Sequence, residues 1–140
     1  MQIAVWGLSE TQVKSRLVRW LEAKGYRVNR ESIVCGPWCD HTLLWGKRDS
    51  GLILHDIILD FHAHNDVDDI WCECKGDVGV SQLLEGFIRL QAALHYNKGR
   101  GMLVTTRAAK SRFLLRYKDF FERLLQQTPN IEVVAAEDLR

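Results

Sequence analysis

LILHDIILDFHAHNDVDDIWCECKGD, residues 52–77, carries the pattern on which the fold turns. Residues 52–62 are rich in Ile and Leu, and residues 70–75 (IWCECK) form a short run bounded by acidic turn residues at 65–69. Two runs of that kind around a tight acidic turn predict antiparallel neighbours in a sheet. Successive side chains alternate between the two faces of a strand, so Trp71, Glu73 and Lys75 share one face and Cys72 and Cys74 the other. A carboxylate and an ammonium therefore project side by side. Asp56, on the preceding run, is expected to meet this pair across the hairpin, giving two carboxylates for a hard divalent cation and the carbonyl of Cys74 as a further oxygen ligand.

Outward from the hairpin the chain reads as helices and strands in the order αβββαβαβ. Ser9, Glu10, Thr11 and Gln12 make a capping-box pattern, and Val13, Leu17, Trp20 and Leu21 fall on one stripe that Gly25 stops, predicting a helix over 10–24. Glu10 precedes that inward stripe and is placed to aim at the sheet's cation site, although an acid at a helix N-terminus is also favourable by itself. Residues 26–35 read as a strand, and residues 36–51, with Trp38 and Trp45, as a loop or partly formed hairpin. Ser81 is expected to cap a helix to about residue 96. A strand over 102–106, an amphipathic basic helix over 109–127 and a strand over 131–136 complete the order. Hairpin strands first and crossover helices later imply an α/β fold, a mixed central β-sheet flanked by helices.

Two rival metal readings lie in the same sequence. HAHND, residues 62–66, spells HxHxD, and His62 and His64 on one strand face could share a zinc ion with Asp66. The zinc-hydrolase pattern continues with another His where Val67 stands here, and only His95 lies downstream. A polar strand end running into an Asn-Asp turn explains the letters better. Cys35 and Cys39, with Asp40 or His41 and Cys72 or Cys74, have a loose CxxxC spacing and no second close pair, so buried free thiols are the expectation.

At 140 residues, 46% of them hydrophobic, the chain has the size of one domain over 1–140. No run approaches the roughly 20 apolar residues of a membrane span, and MQIAVWGLSE lacks the pattern of a secretory leader, so the expectation is a cytoplasmic protein without a membrane partner. The net charge of +1 hides an uneven distribution. Residues 56–77 hold seven acids against Lys75, whereas residues 98–123 hold eight bases against Asp119 and Glu122. An acidic pocket beside a basic flank suits a cation site facing a polyanion. Within the flank, Arg107, Lys110, Arg112 and Arg116 are the candidate phosphate contacts.

HDIILDF, WCECKGD, SQLLEGFIRLQAALHYN and GMLVTT together resemble the PD-(D/E)xK nuclease superfamily, the restriction-endonuclease-like fold also found in archaeal Holliday junction resolvases. The likeness covers nearly the whole chain, including the first helix. It implies that Asp56 takes the place of the superfamily's first acid, Glu73 of its second, Lys75 of its lysine and Glu10 of the acid found on the first helix of many members. His55 stands where the pattern often has Pro. Gln82 and Gln91 are candidates for the accessory Gln that some members carry on the helix after the motif.

The expected function is therefore a Mg²⁺- or Mn²⁺-dependent nuclease hydrolysing phosphodiester bonds, with DNA as the expected substrate and a homodimer as the expected assembly. The alternative is a non-catalytic nucleic-acid-binding or regulatory module on the same fold. DNA against RNA, and branched against duplex or single-stranded substrate, are left open by the residues.

Overall fold

The computed structural model of the chain describes residues 7–35, 57–116 and 118–140. Asp56, the loop at 36–51 and the Cys39 group of the zinc reading lie outside the described residues.

Helix α1, Glu10–Ala23, begins where the capping box places it. The Ser9 hydroxyl accepts from the Gln12 amide at 3.2 Å, and the Gln12 side chain accepts from the Ser9 amide at 2.9 Å. Two amides left over at a helix start are thereby satisfied reciprocally. Val13, Leu17 and Leu21 form its fully buried stripe. The helix ends at Ala23, and the chain turns away at Gly25, whose φ of +89° is readily adopted only without a Cβ.

Strand β1, Arg27–Cys35, pairs antiparallel with β2, Ile57–His64, and β2 pairs antiparallel with β3, Asp69–Cys74. After helix α2, Val80–Tyr96, strand β4, Arg100–Thr105, runs parallel to β3. Helices α3, Arg107–Arg116, and α4, Lys118–Gln127, lead to β5, Ile131–Ala135, which is parallel to β4 and is followed by a 3₁₀ turn, Ala136–Asp138. The described strands form a five-stranded mixed open sheet in the order β1-β2-β3-β4-β5.

Alternation along the central strands divides the core into two layers. Ile70, Cys72 and Cys74 of β3, with Met102 and Val104 of β4, pack against Val13, Leu17 and Leu21 of α1. Trp71 and Leu103 face the other way, onto Leu83, Phe87 and Leu90 of α2 and Ala109 and Phe113 of α3. The α/β architecture with helices on both faces of a mixed sheet thus follows the expectation.

One local reading needs correction. Ser81 does not cap α2: the cap residue is Gly79, without a side-chain hydrogen bond, and the helix starts at Val80. The helix expected over 109–127 is described as α3 and α4, on either side of residue 117, which lies outside the described residues. Ala109 and Phe113 of α3 are buried, whereas every described side chain of α4 is exposed.

Candidate active site and metal centre

The turn between β2 and β3 sets the geometry of the site. Asn65 Oδ1 accepts the amides of Val67 at 2.9 Å and Asp68 at 2.8 Å, an Asx turn that fixes the hairpin register. His64 lies opposite Asp69, Ala63 opposite Ile70, His62 opposite Trp71 and Phe61 opposite Cys72. One further step along the hairpin brings Asp60 to Glu73.

Here the backbone ladder gives way to side chains. The Asp60 amide donates to Glu73 Oε1 at 3.0 Å, and the Cys74 amide donates to Asp60 Oδ2 at 2.8 Å. The strand rotates at the same point: Phe61 packs on the α1 side of the sheet, whereas Leu59, two residues back, packs on the α2 side. Glu73 is buried, and burial first, then the neighbouring Asp60 charge, push its carboxyl up to about 7. The Asp60 amide and the charges of Lys75 and Arg89 act in the opposite direction.

Helix α1 brings a cation and a third acid. Lys14 Nζ lies 3.3 Å from Asp60 Oδ1 and 3.3 Å from Glu10 Oε2, one helical turn away. Burial works against the ammonium's charge, but the charges of Asp60 and Glu10 outweigh it, and its pKa stands above the ordinary lysine value. The helix start comes this close because position 76 is glycine. A Cβ there would stand 2.6 Å from the Glu10 amide nitrogen and 3.1 Å from the Ser9 carbonyl carbon. Beside this contact a cavity of about 500 Å³ opens, lined by Gly7, Ser9, Glu10, Gly76 and Asp77 among others.

Glu73 and Lys75 share the α2 face of β3, as the alternation predicts. A Cβ placed on Gly86 of α2 would lie 3.6 Å from Lys75 Cε and 3.9 Å from Glu73 Cβ. Cys74 turns its thiol into the opposite layer, and burial lifts the Cys72 thiol to about 12 and the Cys74 thiol well above its ordinary value. Both are free thiols. Of the accessory candidates, Gln82 is exposed in the first turn of α2 and Gln91 is half-buried beyond Gly86. Arg89, whose charge reaches Glu73, is a residue that sequence reasoning missed.

Asp60 is the more consequential omission. Asp56 lies outside the described residues, and among the described residues the acid brought against Glu73 is Asp60. The signal was available, since a turn over 65–68 makes 60 the cross-strand partner of 73.

The HAHND residues have structural partners. The His62 ring stacks on Trp71 at 3.9 Å between centroids, with its Nε2 2.8 Å from Asp69 Oδ1, and His64 Nε2 lies 3.3 Å from Asn29 Nδ2. Among the described residues no three His, Cys, Asp or Glu side chains converge as a metal-ligating group. At the Asp60–Glu73 pair the inner positions are held by two acids, with Glu10 joined through Lys14.

The basic flank is partly neutralised. Arg107 pairs with Asp138 at 2.7 Å, its amide donates to Glu137, and Arg112 pairs with Asp77. Lys110 and Arg116 make no ion pair among the described residues. A second basic surface went unread in the sequence: Arg16, Arg19, Lys24 and Arg140 line a cavity of about 570 Å³ around Trp20.

No family model, curated protein or solved structure matches the chain.

Proposed function

We propose that the chain is a divalent-metal-dependent nuclease of the PD-(D/E)xK type, hydrolysing phosphodiester bonds in DNA, with Asp60, Glu73 and Lys75 as its catalytic set. The observation that carries the reading is the exchange between Asp60 and Glu73. Each carboxylate binds one backbone amide across the hairpin through one oxygen, which fixes two hard oxygen donors side by side at a strand end with Lys75 two residues on.

The donor set fits Mg²⁺ or Mn²⁺. Both ions take carboxylate and carbonyl oxygens. A buried carboxyl raised to about 7 beside a second carboxylate is a site short of positive charge, and Lys14 pairs with the Asp60 member of the pair. Asp60 and Glu73 would hold the ion, with Glu10 and the Cys74 carbonyl as further oxygen donors. When bound, the ion supplies Lewis acidity toward the phosphodiester.

The chain's own residues do the rest. The amides of Asp60 and Cys74 lock the two carboxylates in place, so little reorganisation is needed at the moment of reaction. Lys75 counters the charge that grows on the phosphoryl oxygens. Lys110 and Arg116, together with Arg16, Arg19 and Lys24 on α1, attract the phosphate backbone without reading sequence. Two copies clasping a duplex belong to the same proposal.

The second reading, a binding module without catalysis, is favoured by one observation: Lys14 already neutralises Glu10 and Asp60. Labelled branched, duplex and single-stranded DNA and RNA, incubated with Mg²⁺, Mn²⁺, Zn²⁺ or EDTA, separate the two. Cleavage with Mg²⁺ or Mn²⁺ that disappears in EDTA and in Asp60→Asn and Glu73→Gln is the expected result. Binding of every substrate with cleavage of none makes the protein a binding module.

A further inference from the structure

Lys14 occupies an unusual place for a lysine on a helix flank. An i,i+4 pair with Glu10 is ordinary on an exposed helix. The second contact, to Asp60 Oδ1 at 3.3 Å, is not intrahelical: it reaches across to the sheet, to the acid whose other oxygen is fixed by the Cys74 amide. The ammonium thus sits between two carboxylates supplied by different elements, at the one Asp60 oxygen not engaged by the backbone. A cation shared by such oxygens is what a metal-binding carboxylate site presents, with an ammonium standing where a hard ion would bind.

We propose that Lys14 is a built-in competitor for the divalent ion: its ammonium holds the Glu10–Asp60 site closed in the metal-free protein and must swing out before the ion binds. The inference rests on the nuclease reading of Asp60 and Glu73. Two features support displacement over permanent pairing. The Lys14 side chain is 32% exposed, so it has a route to solvent. Its stem is flexible and carries its charge at the tip, so leaving costs only the contacts of that tip. The arrangement also offsets a repulsion that Asp60, Glu73 and Glu10 would otherwise impose on the folded chain.

The consequence is an exchange. Without Lys14 the metal-free protein is less stable and the ion binds more tightly, because it enters without evicting a like charge. With Lys14 present, the acids are quiet until divalent ion is available in excess.

The test measures Mn²⁺ binding by calorimetry and by thermal denaturation, and Tb³⁺ binding by emission sensitised through Trp71, which lies two residues from Glu73 on the same strand. Wild type, Lys14→Gln, Lys14→Arg and Asp60→Asn are compared. Lys14→Gln is expected to bind Mn²⁺ about tenfold or more tightly than wild type, the scale of removing one unit charge within a few ångströms of the ion. It should also melt lower than wild type in EDTA and recover in Mn²⁺. Lys14→Arg, which keeps the charge, should bind as wild type does, and serves if the Gln variant fails to fold: an Arg variant binding tenfold more tightly would overturn the proposal. Asp60-dependent binding in wild type, with Lys14→Gln binding equally or more weakly, overturns the competitor role alone and leaves the metal site standing. No binding that depends on Asp60 in wild type or in any Lys14 variant overturns both readings together.

Discussion

Glu73 Oε1 accepts the amide of Asp60 from 3.0 Å, so the acid that is buried in the hairpin is bonded to the backbone of the acid that is not. The arrangement leaves Glu73 with a carboxyl raised from 4.5 to about 7. Below about pH 4.5 the group is protonated in the folded and unfolded chains alike. Between about 4.5 and 7 the folded chain keeps a proton that the unfolded chain has lost, so stability falls as pH rises through this window and levels off above it. Glu73→Gln is expected to remove the decline, which amounts to roughly 2–3 kcal/mol in wild type. Urea unfolding in EDTA from pH 4 to 8.5 measures it, and a flat wild-type curve would mean the carboxyl is not raised.

Lys75 separates catalysis from binding. A group that counters charge developing only during attack contributes to the transition state and little to the ground state. Lys75→Ala should keep nucleic-acid affinity within a fewfold while Mg²⁺-dependent cleavage falls by roughly two orders of magnitude. Single-turnover cleavage and fluorescence anisotropy on one labelled duplex decide it. Loss of both in proportion would make Lys75 one phosphate contact among many.

His62 and His64 hold the far end of the hairpin. His62→Ala with His64→Ala should leave divalent-ion binding and cleavage largely unchanged. The cost should be structural, about 1–2 kcal/mol from the lost Trp71 stack and the lost Asp69 bond. Denaturation beside metal titration tests this, and disappearance of a stoichiometric zinc ion in the double variant would mark HAHND as the true centre.

Gly76 is a spacer. The atoms that an alanine Cβ would meet belong to the backbone of residues 8–10, which cannot turn aside as a side chain can. Gly76→Ala is expected to push α1 from the end of β3, costing about 1–3 kcal/mol of stability. It should weaken the Lys14–Asp60 contact at the same time, visible as a loss of the difference between wild type and Lys14→Gln in metal binding.

The hairpin, the order of elements and the shared face of Glu73 and Lys75 were legible because alternation along a strand and the capping box are local signals. Asp60 was not singled out because two acids, Asp56 and Asp60, precede the turn four residues apart, and an apolar run of Ile and Leu gives no mark of register. Only the Asx turn at Asn65, read residue by residue, distinguishes them. Lys14 was invisible for another reason. As a sequence letter it is one polar residue on an amphipathic helix, and its value comes from packing α1 against a strand more than forty positions away. The basic flank shows what a sequence cannot: Arg107 and Arg112 are two cations among eight there, and in the fold they pair with Asp138 and Asp77.

The turn at Asn65 also orders events in time. It joins Asp60 to Glu73 through a short closure, and hairpins of that kind form in about 1–10 μs, whereas contacts between distant segments wait on slower searches. The two acids therefore meet before α1 can deliver its ammonium, and for that interval their like charge is opposed by Lys75 without Lys14. A divalent ion, or simply a low pH, relieves it. The folding reaction of this protein should accordingly run faster in the presence of the ion that its mature form would use, so that the cation acts first as a partner in assembly and only afterwards in chemistry.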